Sequence, residues 1–158
     1  MATKEEKQTK QEAAVNVADK KLEEFRKFVD DNKITGFAVE DWPAGGHVFR
    51  SRLPVAGQSL PFGILFDDSV YAIIQIQLGE AMATGEKAEK IYAILNALNE
   101  QYRMLKFSAD ANGSVLLSCI VAAGLSHFEP ALVIAILNSI QEELNESYPA
   151  IMAKLWEK

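Results

Sequence analysis

The sequence is short of most residues that carry chemistry. Its 158 residues include one cysteine, Cys119, and two histidines, His47 and His127. A lone cysteine forms no internal disulfide, and Cys119 lies in an apolar run. A reduced compartment and a small buried hydrophobe are therefore expected, rather than a reactive thiol. A Cys–His nucleophile would require Cys119 to meet a histidine in space, and nothing local brings them together. There is no Cys pair, no His-Glu-x-x-His and no calcium-loop spacing, so no metal ligand is assigned. Gly79–Lys87 has a strand–loop–helix outline but lacks the glycine spacing and Gly-Lys-Ser/Thr ending of a phosphate loop. No stretch approaches the ~18 apolar residues of a membrane span. Met1 to Ala14 is charged and has no apolar signal-peptide core, so the expected location is the cytoplasm.

Positive charge is also in deficit. The net charge is −6, yet residues 1–33 carry eight basic and eight acidic side chains. The rest of the chain, with 8 basic and 14 acidic residues, holds the whole excess. Phosphate-backbone binding needs a clustered basic footprint, so nucleic acid is not an expected partner.

What is present is the composition of a folded domain. The hydrophobic fraction is 49% and the charged fraction 24%, close to globular averages. A chain of this length can bury roughly 70% of its unfolded surface without a disulfide or metal. Residues 1–158 are read as a single domain, with residues 1–12 expected to fray because the first ten have no apolar face.

Residues 3–33 read as one helix with a stripe of Val15, Ala18, Leu22, Phe25 and Val29, and Gly36 helps to end it. Lys20, Lys21, Glu23, Glu24 and Lys27 fall off that stripe. Period-two patterns then follow. His47–Leu53 forms a strand with His47, Phe49, Ser51 and Leu53 on one face. A second strand presents Leu60, Phe62, Ile64 and Phe66, with Pro61 suggesting an edge or a strand start. A third presents Val70, Ala72, Ile74, Ile76 and Leu78. Thr84 is a candidate N-cap for a helix whose stripe is Ala88, Ile91, Tyr92, Leu95, Leu98 and Tyr102. Arg103–Ala109 and Ser114–Ala122 read as strands joined at Asn112-Gly113, a hairpin signal. The last helix starts near Ser126, which has capping-box spacing to Glu129, and continues through Val133, Ile136, Ile140 and Leu144. Pro149 should break or kink it before Ile151 and Leu155. The expected fold is α+β, an antiparallel five-stranded sheet with packed helices, in the order α-β-β-β-α-β-β-α.

The second face of this sheet is mixed rather than polar. It would carry Tyr71, Ile73, Gln75 and Gln77, and the last strand is apolar on both faces. Cover by the first helix or the C-terminal tail is the favoured expectation; a dimer surface or a groove for a partner segment is the alternative. Arg50 and Arg52 share a strand face and could receive an acidic partner, although a solvated face is the simpler reading. The pairs Glu40-Asp41 and Asp67-Asp68 read as turn formers rather than catalytic dyads.

The segment Leu95-Asn96-Ala97-Leu98-Asn99-Glu100-Gln101-Tyr102-Arg103-Met104-Leu105-Lys106-Phe107 resembles the central motif of YbjN-like proteins. There a helix with a Leu-Asn pattern runs into a strand carrying Lys-Phe. Here Asp110, Asn112-Gly113 and an apolar strand follow, and the C-terminal Leu144, Tyr148-Pro149 and Leu155 fit as well. The resemblance spans roughly residues 36–157. It implies the fold of the small acidic chaperones of type III secretion, and with it a dimer-forming binding or regulatory module. It carries over no functional residue.

The sequence thus leads to a non-enzymatic protein-binding module, with a protein partner or a second copy as its ligand. No catalytic, cofactor-binding or metal residue is assigned, and neither a cofactor nor a membrane is expected. A small-molecule-binding domain or an undetected enzyme is the alternative, resting on Tyr71, Gln75 and Gln77. A purely structural domain is a third.

Overall fold

A computed structural model describes residues 16–157. The fraying expected at residues 1–12, and Val15 of the first stripe, lie outside the described residues. The chain runs α1 (Val17–Asp31), β1 (Ala38–Asp41), β2 (His47–Val55), β3 (Gln58–Phe66), β4 (Tyr71–Gly79), a 3-10 turn (Gly85–Lys87), α2 (Ala88–Gln101), β5 (Lys106–Ala109), β6 (Val115–Ala122) and α3 (Pro130–Trp156). The sheet is antiparallel throughout, in the spatial order β1-β2-β3-β4-β6-β5.

It has six strands rather than five. The unforeseen strand, β1, is four residues long and exposed at every position. Ala38-Val39-Glu40-Asp41 shows no apolar alternation, so its pairing with β2 is what makes it a strand. The turn between them closes as Trp42 N donates to Gly46 O.

Between β2 and β3 the connection is only Ala56-Gly57, both with positive φ (46° and 78°), as a tight primed hairpin requires. Alanine is strained there. The α3 side chains hold the turn: Asn145 Oδ1 accepts from Ala56 N at 2.9 Å, and Gln141 Nε2 donates to Pro54 O at 2.7 Å. Pro61 falls inside β3, where pairing with β2 continues but pairing with β4 has stopped at Phe62. Its missing N–H therefore breaks no β3–β4 ladder bond.

Helix boundaries shift for local reasons. α1 ends without help from Gly36. Lys33 takes a left-handed φ of 54°, Lys33 N donates to Asp30 O and Ile34 N to Val29 O, which is a Schellman ending built on lysine. Thr84 precedes the 3-10 turn, and its hydroxyl donates back to Ala81 O instead of capping α2. No capping box forms at Ser126: α3 starts at Pro130 with Glu129 as N-cap. Proline is pre-organised for the first helical position, where its missing N–H costs nothing. α3 also runs through Pro149 unbroken to Trp156. Its buried residues Leu144 and Tyr148 before the proline, and Ile151 and Leu155 after it, form one stripe on the core. Burial of these side chains, about 1.5–3 kcal/mol each, outweighs the ~3 kcal/mol cost of an internal proline.

The core lies on one side of the sheet. Phe49, Ile64, Ile74 and Cys119 sit side by side on adjacent strands, facing Phe25 and Val29 of α1, Ile91, Leu95 and Leu98 of α2, and Leu137, Ile140 and Leu144 of α3. Phe25 contacts Phe37, Phe49 and Phe66 edge-on or tilted, with ring centroids 4.8–6.0 Å apart. Residues 16–157 thus share one hydrophobic core.

Candidate functional site

All described helices pack on that one side. The expectation that the first helix or the C-terminal tail covers the second face is not met among the described residues: both lie on the core side. No described helix covers the second face.

The ladder registers order it into three rows running across the strands. The first is Glu40–Val48–Leu65–Ile73–Ile120. The second is Ala38–Arg50–Gly63–Gln75–Ser118–Lys106. The third holds Arg52 beside Pro61, and Gln77 beside Leu116 beside Ser108. The first row is aliphatic from Val48 to Ile120; Val48 is buried, Leu65 and Ile73 are half-buried, and Ile120 is 56% exposed. Tyr71, 51% exposed, extends the apolar surface at the start of β4.

A depression of about 170 Å³ opens in the middle row. Gly63 forms its floor because it has no side chain; a Cβ there would stand 2.8 Å from Val48 Cγ1. Leu65 and Ile73 border it on one side, Gln77 and Leu116 on the other, and Trp42 and Arg50 close one end. Gln75 Nε2 donates to Ser118 Oγ at 3.3 Å. Arg50 Nε donates to Glu40 Oε2 at 2.5 Å, tying β1 to β2 beside the depression. Arg52 is anchored on Ser59, with Nε donating to Oγ at 2.9 Å. Arg50 and Arg52 do share this face, as expected.

The other expected residues scatter. Tyr71 does not join Gln75 and Gln77; four residues of strand, about 13 Å, separate it from Gln75. Cys119 is buried on the core face, where burial pushes its thiol pKa up. His127 is exposed in the loop before α3, whereas Cys119 is buried in the core. His47 begins β2, with Nε2 2.6 Å from Asp19 Oδ1 and Nδ1 3.0 Å from Asp41 Oδ1. The hydrogen bond to Asp19 does most to raise its pKa, with partial burial opposing and Asp41 adding to the rise. Among the described residues no group of three His, Cys, Asp or Glu side chains is placed to hold a metal.

One polar cluster escaped sequence reasoning. Lys21 is 0% exposed, although its spacing put it off the α1 stripe. Its Nζ donates to Asp67 O and Tyr71 O, both at 2.9 Å, and to Ser69 O, so three backbone carbonyls of the β3–β4 turn use its three protons. Burial holds its pKa below the usual lysine value, with the charges of Asp67 and Asp68 opposing that fall. Burial also works against the charge on Asp67, but hydrogen bonds from Ser69 and the Lys21 ammonium outweigh it and lower its pKa. Asp68 Oδ1 accepts from Ala18 N at the start of α1. The Asp67-Asp68 pair is thus a turn former, as expected, and it also docks α1. Only the neighbouring acidic pair hinted at a partner for a buried cation.

No family model matches the sequence, and no curated protein does. The resemblance to YbjN-like proteins rests on the residues quoted above. Among solved structures, a chain of the structure titled "Crystal Structure of the ExsC-ExsE Complex" is similar, with a TM-score of 0.60 and 14% identity, over 87% of this chain and 97% of that one. At that identity the likeness is one of fold. No described helix is long and apolar enough to cross a membrane.

Proposed function

We propose that this chain is a non-enzymatic protein-binding module, chaperone-like or regulatory, which takes a partner segment on the open face of its sheet. The observation that carries the reading is the sheet face left uncovered by the described helices: a partly exposed aliphatic row from Leu65 to Ile120 beside a depression floored by Gly63. Apolar surface organised in this way is typical of interaction sites. Size favours a side chain over a metabolite. The depression, about 170 Å³, matches a cavity of about 150 Å³ that admits a benzene ring, whereas ligand pockets run to roughly 300–1,000 Å³. The fold shared with a chain from a two-protein complex supports the same direction. A homodimer and a cytoplasmic location belong to this reading.

The small-molecule alternative loses its main support, because Tyr71 stands apart from Gln75 and Gln77. A larger hollow of about 420 Å³ lies between the loop from Glu80 to Lys87 and Trp156, away from all three.

A photo-crosslinking residue at Gln75, compared with one at Glu143 on the exposed side of α3, tests the proposal in the native host. The expected result is an adduct with a defined protein at Gln75 alone, lost when Tyr71→Asp and Ile120→Asp are added. No adduct, or equal adducts at both positions, would overturn it.

A further inference from the structure

The open face carries charge of the opposite sign to the molecule as a whole. The chain has a net charge of −6. On the face, the registers place Arg50, Arg52 and Lys106 against a single acidic residue, Glu40. Glu40 is engaged by Arg50. Arg52 and Lys106 have no carboxylate partner among the described residues, and both are exposed. They stand at opposite ends of the face, Arg52 on β2 and Lys106 on β5, with the depression between them. Four strand spacings separate those strands, about 19 Å, which about 13 residues of helix or about 6 of extended chain would span.

Two cations at this separation are too few for a nucleic-acid backbone, which rewards many phosphate contacts. They suit a short segment with carboxylates flanking an apolar anchor. A second copy of this chain does not supply such a segment from its most acidic described stretch. Its acidic stretch Glu142-Glu143-Leu144-Asn145-Glu146 has Leu144 buried in its own core, at 1% exposure, so the anchor is already used.

Resting on the docking reading above, we infer that the occupant of the open face is an acidic amphipathic segment of a partner protein. One apolar side chain enters the depression over Gly63, and carboxylates on either side of it meet Arg52 and Lys106. The apolar contact supplies most of the affinity. The exposed charges supply the choice of partner and the direction in which it lies.

The test uses the full-length chain with Trp156→Phe, so that the remaining tryptophan, Trp42, reports from the border of the depression. Three synthetic peptides of about 14 residues, near the helical length that spans the face, share their apolar positions and carry Glu, Gln or Lys elsewhere. The Glu peptide is expected to bind about tenfold more tightly than the Lys peptide at low salt, with the gap narrowing as salt is added. The double variant Arg52→Glu/Lys106→Glu should invert that order, a gain of binding that no misfolded protein would show. Equal binding of all three peptides that is abolished by Ile120→Asp would keep the docking face and overturn the acidic occupant. No binding by any peptide would overturn both. A dimer that becomes a monomer in the double variant would assign the face to a second copy and overturn the inference as well.

Discussion

The side-chain amide of Asn99 is docked on the backbone of Phe107: Nδ2 donates to Phe107 O at 2.9 Å and Oδ1 accepts from Phe107 N at 2.7 Å. Phe107 lies opposite Leu117 across the β5–β6 ladder, yet spends both backbone groups on Asn99. In an antiparallel pair those groups then point away from β6, in the plane of the sheet and toward its outer edge beyond β5. Asn99 therefore stands where a further strand would pair, and it blunts the β5 edge as edges must be blunted to prevent aggregation. Asn99 and Phe107 both belong to the stretch that resembles YbjN-like proteins, which gives that motif a physical role in joining α2 to β5.

Asn99→Ala should accordingly destabilise the protein by about 1–3 kcal/mol through two lost hydrogen bonds and two partly buried backbone groups left unpaired. Urea denaturation measures this. Light scattering should show more self-association, because the β5 edge is opened. Asn99→Asp, which keeps an acceptor and loses the donor, should fall between.

Lys21→Met keeps the apolar stem and removes the ammonium from three carbonyls. We expect a loss of about 2–4 kcal/mol, since the turn carbonyls and Asp67 lose their cation. Lys20→Met, one residue away on the exposed side of α1, should stay within about 0.5 kcal/mol. Equal effects from the two in chemical denaturation would show that the buried lysine carries no special part of the stability.

His47 should make stability pH-dependent. Its folded pKa is raised above 6.5, chiefly by Asp19. The protonated ring is therefore favoured in the fold. That contribution is complete below pH 6.5 and fades as pH rises through the raised folded value. His47→Gln should flatten this part of the profile, and the difference from the parent should be larger at pH 6 than at pH 9. Because the ion pairs are partly exposed, the effect should be at most about 1 kcal/mol. Thermal melts across pH measure it.

Cys119 should resist thiol reagents in the folded protein. It is 4% exposed, beside Ile74 in the ladder, and burial raises its pKa. Labelling should be slow without denaturant and immediate in it. Fast labelling under native conditions would mean that β6 opens locally.

Much of the fold was legible because alternation and helical spacing are local. The core faces of β2, β3 and β4 follow from period two, except that Val70 precedes β4 and is exposed; Ile91, Leu95 and Leu98 of α2 follow from period 3.6, whereas Tyr92 of that expected stripe is exposed. The Asn112-Gly113 signal correctly joined β5 to β6, although the loop is longer than a two-residue turn: Asp110 Oδ1 accepts from both Asn112 N and Ser114 N. β1 was not legible, because its four residues become a strand only through β2. Lys21 was not, because its partners are carbonyls some 46 to 50 residues away, and backbone carbonyls leave no trace in sequence.

The candidate site divides in the same way. The sequence by itself determined that Tyr71, Ile73, Gln75 and Gln77 share a face, that Arg50 and Arg52 share one, and that no familiar catalytic or metal motif accompanies them. Only the tertiary structure decided that these two faces are the same one, that all the described helices turn their backs on it, and that Gly63 hollows it between Arg52 and Lys106. Periodicity assigns each side chain to a side of its own strand. Strand order and ladder register, set by contacts distant in sequence, decide which sides become one surface and which is left open.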